Sequence, residues 1–142
     1  MQRATYYKGI EMNEINEKLL EHCDEYATDM LKETGESYPF GAYIDTIDNV
    51  HPLEMEFDPK NMPKVGAVIE GLQKYCKEEI AAERMKAFAI CYEADVALSE
   101  EEILTTVCID IQNEEEDTPL FYLPYTKSEL GVGVKEMFAV KR

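Results

Sequence analysis

Tryptophan is absent from this 142-residue chain; histidine occurs twice, serine three times and cysteine four times. Each scarcity removes a class of chemistry. Ser37, Ser99 and Ser128 all fall in turn-like or loop-like stretches and none sits in G-x-S-x-G, so no nucleophile elbow is encoded. Cys23, Cys76, Cys91 and Cys108 are too few and too scattered for a disulfide scaffold. They form no C-x-x-C pair, which leaves zinc-ribbon and thioredoxin-type chemistry unsupported, and they read as small buried apolar residues. His22 and Cys23 are adjacent, but helical neighbours point about 100° apart and do not face one another. H-E-x-x-H, G-x-x-x-x-G-K-[ST] and G-x-G-x-x-G are all missing. Gly131-Val132-Gly133 is too short to cradle a phosphate and reads as a flexible entry to the last strand. No apolar run approaches the roughly 20 residues of a membrane helix, and Met1–Lys8 lacks the apolar stretch of a signal peptide. A cytoplasmic location and no cofactor are therefore expected.

Cations are scarce as well: 14 Lys and Arg stand against 30 Asp and Glu, for a formal net charge of −16. Such a field repels nucleic acid and anionic membrane and favours basic partners or cations. Disorder is not the reason for the charge. The chain is 45% hydrophobic with nine Tyr and five Phe, enough for the core of one domain over residues 1–142.

Apolar periodicity sets the expected elements. Residues 11–33 carry Ile15, Leu19, Cys23, Tyr26 and Met30 at helical spacing, widened by Leu20, Ala27 and Leu31. Glu14, Glu17, Glu21, Asp24 and Glu25 lie opposite; Lys32 closes the last turn and Gly35 stops the helix. A strand opens at Tyr38-Pro39-Phe40, turns at Asp48-Asn49 and returns through Leu53, Met55 and Phe57, whose apolar set is expected to share a face with Phe40, Ala42 and Ile44. Pro52 marks that return strand as an edge. A second helix, capped at Asn61 or Met62 with Pro63 in its first turn, buries Val65, Val68, Ile69, Leu72, Cys76 and Ile80; Gly66 and Gly71 suggest close approach to the sheet.

The last third alternates in period two. Phe88, Ile90, Tyr92, Ala94, Val96 and Leu98 form one set, and Ile103, Thr105, Val107, Ile109 and Ile111 the next. A hairpin centred between Ser99 and Glu100 would set Ile90 against Ile109, Tyr92 against Val107, Val96 against Ile103 and Cys91 against Cys108. After the polar turn Asn113–Asp117 come strands over Leu120–Tyr125 and Gly133–Val140, with Pro124 pointing to an edge. The expected fold is α+β: an antiparallel sheet of about five or six strands with two main helices, in the order α-β-β-α-β-β-β-β. Alternation throughout points to a sheet buried on one face.

Three places offer chemistry or contacts. Asp45, Asp48 and His51 gather oxygen and imidazole ligands near a turn, without EF-hand spacing; a polar hairpin turn explains them, and a small metal-dependent hydrolase is the catalytic alternative. The Glu114–Asp117 run reads as a solvated loop. Phe121, Tyr122 and Tyr125, flanking Pro124, make both faces of one strand apolar, which calls for cover by a helix or another subunit. Glu17, Glu21 and Glu25 on the first helix are the acidic candidates.

Tyr38-Pro39-Phe40-Gly41-Ala42 after a helix, with the later Tyr122-Leu123-Pro124-Tyr125, resembles a group of small uncharacterised bacterial proteins; that resemblance implies no activity and no catalytic residue. The element order also resembles roadblock or profilin-like modules and, less closely, type III secretion chaperones. From the residues themselves, the expectation is a non-enzymatic, self-associating protein-interaction domain. A toxin-neutralising immunity protein is the alternative, its carboxylates standing where phosphates would sit in a basic nuclease site.

Overall fold

The computed structural model describes residues 12–54, 60–61 and 63–142. Among these residues, two helices and seven strands follow in the order α1 (Glu14–Thr34), β1 (Phe40–Ile44), β2 (Val50–Leu53), α2 (Val65–Ala81), β3 (Ala87–Ala97), β4 (Ile103–Gln112), β5 (Leu120–Ser128), β6 (Gly131–Val134) and β7 (Phe138–Val140). Every pairing is antiparallel, in the order β2-β1-β3-β4-β5-β6, with β7 also on β5. The α+β class and the element order are those expected from sequence. Met55 and Phe57 lie outside the described residues.

Local chemistry sets the ends of α1. The Asn13 side chain accepts the Asn16 N–H at 2.8 Å, and Gly35, at φ 73°, donates its N–H to the Leu31 carbonyl at 2.8 Å. The buried side of α1 is Asn16, Leu19, Leu20, Cys23, Asp24, Ala27, Thr28 and Leu31, rotated from the apolar stripe read in the sequence. Asp24 thus belongs to the buried side, not to the acidic one. These polar residues are partly satisfied there: the Asn113 amide donates to Asn16 Oδ1 at 3.1 Å and the Thr28 hydroxyl to Asp24 Oδ1 at 3.4 Å, while Asn16 Nδ2 has no partner among the described residues.

Both faces of the sheet carry a helix, α1 on one and α2 over β1 and β3 on the other, which overturns the one-face expectation. Phe40, Ala42, Ile44, Ala87, Ala89, Cys91, Val107, Ile109, Phe121 and Leu123 pack beneath α1. On the reverse, Phe88 and Ile90 pack beneath α2 with Val68, Leu72, Cys76 and Met85; Leu53 joins this cluster, because it pairs with Gly41 and not with Phe40 or Ala42. The β3–β4 register follows the same logic. Cys91 faces Ile109, Tyr92 faces Cys108 and Ile90 faces Asp110, one residue from the expected pairing. The large residues of β3 serve α2, while its small Ala87, Ala89 and Cys91 face α1 beside the apolar set of β4. Cys91 and Cys108 therefore lie on opposite faces. Cys91 instead meets Cys23 of α1, and all four cysteines are free and buried.

Two further expectations change. α2 starts at Val65 after Lys64 rather than at Asn61 or Met62, and Val65 is exposed. A Cβ on Gly66 would meet nothing within 4 Å, so that glycine marks no close approach; Gly41 does, because its Cβ would lie 2.7 Å from the Ala89 carbonyl. The last strand is broken in two by a register step. Tyr125 pairs with Val134 but Tyr122 with Phe138, so one extra residue enters between β6 and β7. That step keeps Val132, Val134, Met137 and Ala139 all against the α1 core despite the three-residue gap. It also accommodates Pro124 in an interior strand. The Pro124 carbonyl accepts the Lys135 N–H at 2.8 Å, so its missing N–H falls on the stepped side. Pro52 sits in β2, an edge strand as expected.

Candidate interaction surface

β3 and β4 outrun their neighbours. β1 accompanies β3 only as far as Cys91, and β5 stays with β4 only as far as Thr106, yet β3 and β4 remain paired to Ala97 and Ile103. The far end is a two-stranded ribbon, closed by a five-residue loop in which Leu98 donates its N–H to the Glu102 carbonyl at 2.9 Å. Ser99 Oγ accepts the Glu101 and Glu102 N–H groups at 3.3 and 3.1 Å, which orders the loop without using its carboxylates. Glu93, Asp95, Glu100, Glu101 and Glu102 are exposed, as are Leu98 (55%) and Ile103 (65%). The ribbon is tied at its base: the Tyr125 hydroxyl donates to Glu93 Oε1 at 2.6 Å, and Thr106 Oγ1 to the Ala94 carbonyl at 2.8 Å. Burial, reinforced by the Glu93 carboxylate, holds the Tyr125 proton well above the usual phenol range.

Glu17, Glu21 and Glu25 stand exposed with Glu14 on the outer side of α1, brought into one stripe by three- and four-residue spacing. The ion pairs of the described residues are elsewhere: His51–Asp45, Arg84–Glu79, Lys86–Asp48 and Arg142–Asp110. Phe121 and Tyr125 belong to the core under α1 and are not surface. Their even-numbered neighbour Tyr122 points to the other face, stacked on Phe138 with ring centroids 5.5 Å apart. That face, beyond α2, carries the part-buried Tyr92, Leu104, Tyr122 and Phe138 and the exposed Val140.

Asp45 and Asp48 serve different partners. Asp45 Oδ2 pairs with His51 Nε2 at 2.6 Å, and its Oδ1 accepts the Ile47 and Asn49 N–H groups at 3.0 and 2.9 Å. The His51 bond first, then the backbone donors, hold its carboxyl below the usual range. Asp48 turns to Lys86 at 2.6 Å. This is a hairpin turn braced by side chains. Among the described residues no three His, Cys, Asp or Glu gather where one metal ion could be held.

A cleft of about 560 Å³ opens between the end of α2 and the segment after β4. Ile80, Phe88 and Ile111 line it, with Glu114, Glu116 and Asp117 alongside. Arg142 braces one side, donating from Nε to the Thr118 carbonyl at 2.8 Å and from Nη2 to the Ile111 carbonyl at 3.1 Å and the Asp110 carboxylate. No helix among the described residues is long and apolar enough to cross a membrane.

The ribbon escaped the sequence reading, although a signal was present: β3 changes from an unbroken apolar run over residues 87–92 to acid–apolar alternation over residues 93–96. Comparison with protein-family models, curated proteins and solved structures finds no match for this chain.

Proposed function

We propose that this chain is a protein-interaction domain for a basic protein partner. The observation that supports it is the distribution of carboxylates: those on the outer side of α1 and on the β3–β4 ribbon are exposed, and no ion pair of the described residues engages them. With a net charge of −16, these groups steer a cationic surface at long range and meet it at contact. An immunity protein that occludes a nuclease active site is one form of this reading. Capture of partners from lysate of the native host, repeated at low and high salt, tests it. A basic partner released by salt, and lost on Glu17→Lys, Glu21→Lys and Glu25→Lys combined with Asp95→Lys, is the expected result. Partners bound equally at both salt concentrations and by the reversed variant would overturn it.

A second reading, self-association, is favoured by a different observation. The face bearing Tyr92, Leu104, Tyr122, Phe138 and Val140 is poor in charge, and its one buried carboxylate, Asp110, is paired with Arg142. Light scattering across a concentration series tests this. A dimer abolished by Tyr122→Lys supports it, and a monomer at every concentration refutes it.

A further inference from the structure

The free edge of the ribbon offers backbone as well as charge. Along a strand, the N–H and C=O of successive residues point to alternate sides. The Leu98 N–H points across to Glu102 and the Ala94 carbonyl toward Thr106, so the even-numbered residues of this stretch face β4. Glu93, Asp95 and Ala97 therefore direct their N–H and C=O groups outward, along the line that β1 occupies as far as Cys91. Past that point no described strand pairs with them. Unpaired edges of this kind are templates for strand addition.

We propose that the outer edge of β3 from Glu93 to Ala97 receives an extended basic segment of a partner protein as an added antiparallel strand. The inference rests on the basic-partner reading and names how the partner is held. Side-chain chemistry selects the sequence of the segment. Residues directly opposite one another share a face. The partner positions facing Glu93 and Asp95 must then be Lys or Arg, while those beside Ala94 and Val96 join the apolar side of the ribbon. The fitting segment alternates basic and apolar residues. A second copy of this chain is a poor occupant of the full Glu93–Ala97 segment. Two-fold pairing centred on Ala94 sets Glu93 against Asp95 of the other copy, and pairing centred on Asp95 sets that carboxylate against itself; like charges directly opposite are destabilising.

The same geometry says which peptide amides matter. In an antiparallel ladder the residues facing Glu93 and Asp95 return their own N–H and C=O groups to them, so the lysine amides of the segment make the bonds and the apolar ones point away. The test uses the full chain, labelled for amide NMR, and four synthetic peptides: alternating Lys-Val, the same composition in two blocks, and the alternating peptide N-methylated either at its lysines or at its valines. The alternating and valine-methylated peptides should move the Glu93, Asp95 and Ala97 amides. The lysine-methylated peptide loses more than one ladder bond. The block peptide keeps its amides but cannot set lysines against Glu93 and Asp95 with apolar residues beside Ala94 and Val96. Each should bind about tenfold or more weakly. Asp95→Lys should abolish the preference, and Glu17→Lys with Glu21→Lys should keep it. Equal binding of all four peptides, or shifts confined to α1, would overturn strand addition while leaving the basic-partner reading intact. Shifts reporting a second copy at this edge would overturn it in favour of self-pairing, and failure of every cationic peptide to bind would overturn both.

Discussion

Replacing Gly41 by alanine should force β1 away from β3. The added Cβ would lie 2.7 Å from the Ala89 carbonyl oxygen, about 0.7 Å inside the 3.4 Å at which ordinary contact begins. The two remaining neighbours, Ile90 Cδ1 at 3.5 Å and Leu53 Cβ at 3.6 Å, are unstrained, so the whole conflict is with backbone. That oxygen cannot rotate aside like a side chain, because Ala89 sits between β1 and β4 in two ladders. Strand separation or shear must absorb the overlap, and both helices rest on these strands. Overpacking of this kind costs about 1–3 kcal/mol, or ~3–10 °C in Tm for a chain of this size. Gly66→Ala is the matched control: its Cβ meets nothing within 4 Å, and it lies inside α2, so it should stabilise by up to about 1 kcal/mol. Thermal unfolding by circular dichroism reads both. A Gly41→Ala protein as stable as the parent, or two variants shifting in the same direction, would refute the close approach of β1 to β3.

Other predictions separate core from surface and assign pH dependence. Phe121→Ala should cost about 3–5 kcal/mol in chemical denaturation, because the ring is wholly buried beneath α1; Tyr122→Ala, on a part-buried ring, should cost clearly less. Burial lowers the His22 pKa from 6.5 against the smaller opposing effect of Glu25, and its Nε2 is buried without a hydrogen-bond partner among the described residues. The unfolded chain then binds the proton more readily, so stability present above pH 6.5 should fall as the pH drops below it; a denaturation series between pH 8 and 5 should show this loss, and His22→Gln should flatten it. Arg142→Ala should cost about 1.5–3 kcal/mol, nearer the lower figure since the guanidinium is partly exposed. It strips the buried Asp110 carboxylate and the Thr118 and Ile111 carbonyls of a donor, and faster amide exchange over residues 111–118 would register the loosened segment.

The order of elements was legible because apolar period and turn chemistry are local. Gly35 and the spacing from Leu19 to Leu31 place α1, and the alternation of residues 103–111 places β4. Which face each residue occupies was less legible, for a physical reason. Ala87, Ala89 and Cys91 are small, so alternation reads them as the weaker side of β3, yet they are fully buried against the α1 cluster. The same error of parity put Cys91 opposite Cys108. On β5, apolar or aromatic residues at every position from Leu120 to Tyr125 hid the division between the buried Phe121 and Tyr125 and the outward Tyr122. The step between Val134 and Met137 looks like a lapse of pattern in sequence, and only the pairing with β5 shows it to be the device that preserves the pattern. The acidic stripe Glu17, Glu21 and Glu25 was readable because solvated helix faces obey simple spacing. The free ribbon edge was not, because it depends on where β1 and β5 stop.

Residue-resolved amide hydrogen exchange of the chain alone tests that edge most directly. Exchange should alternate along β3 and into the loop: slow at Ala94, Val96 and Leu98, whose N–H groups face β4 or its approach, and fast at Glu93, Asp95 and Ala97. Uniform protection of all six would mean that the edge is already paired and would contradict a free edge from Glu93 to Ala97.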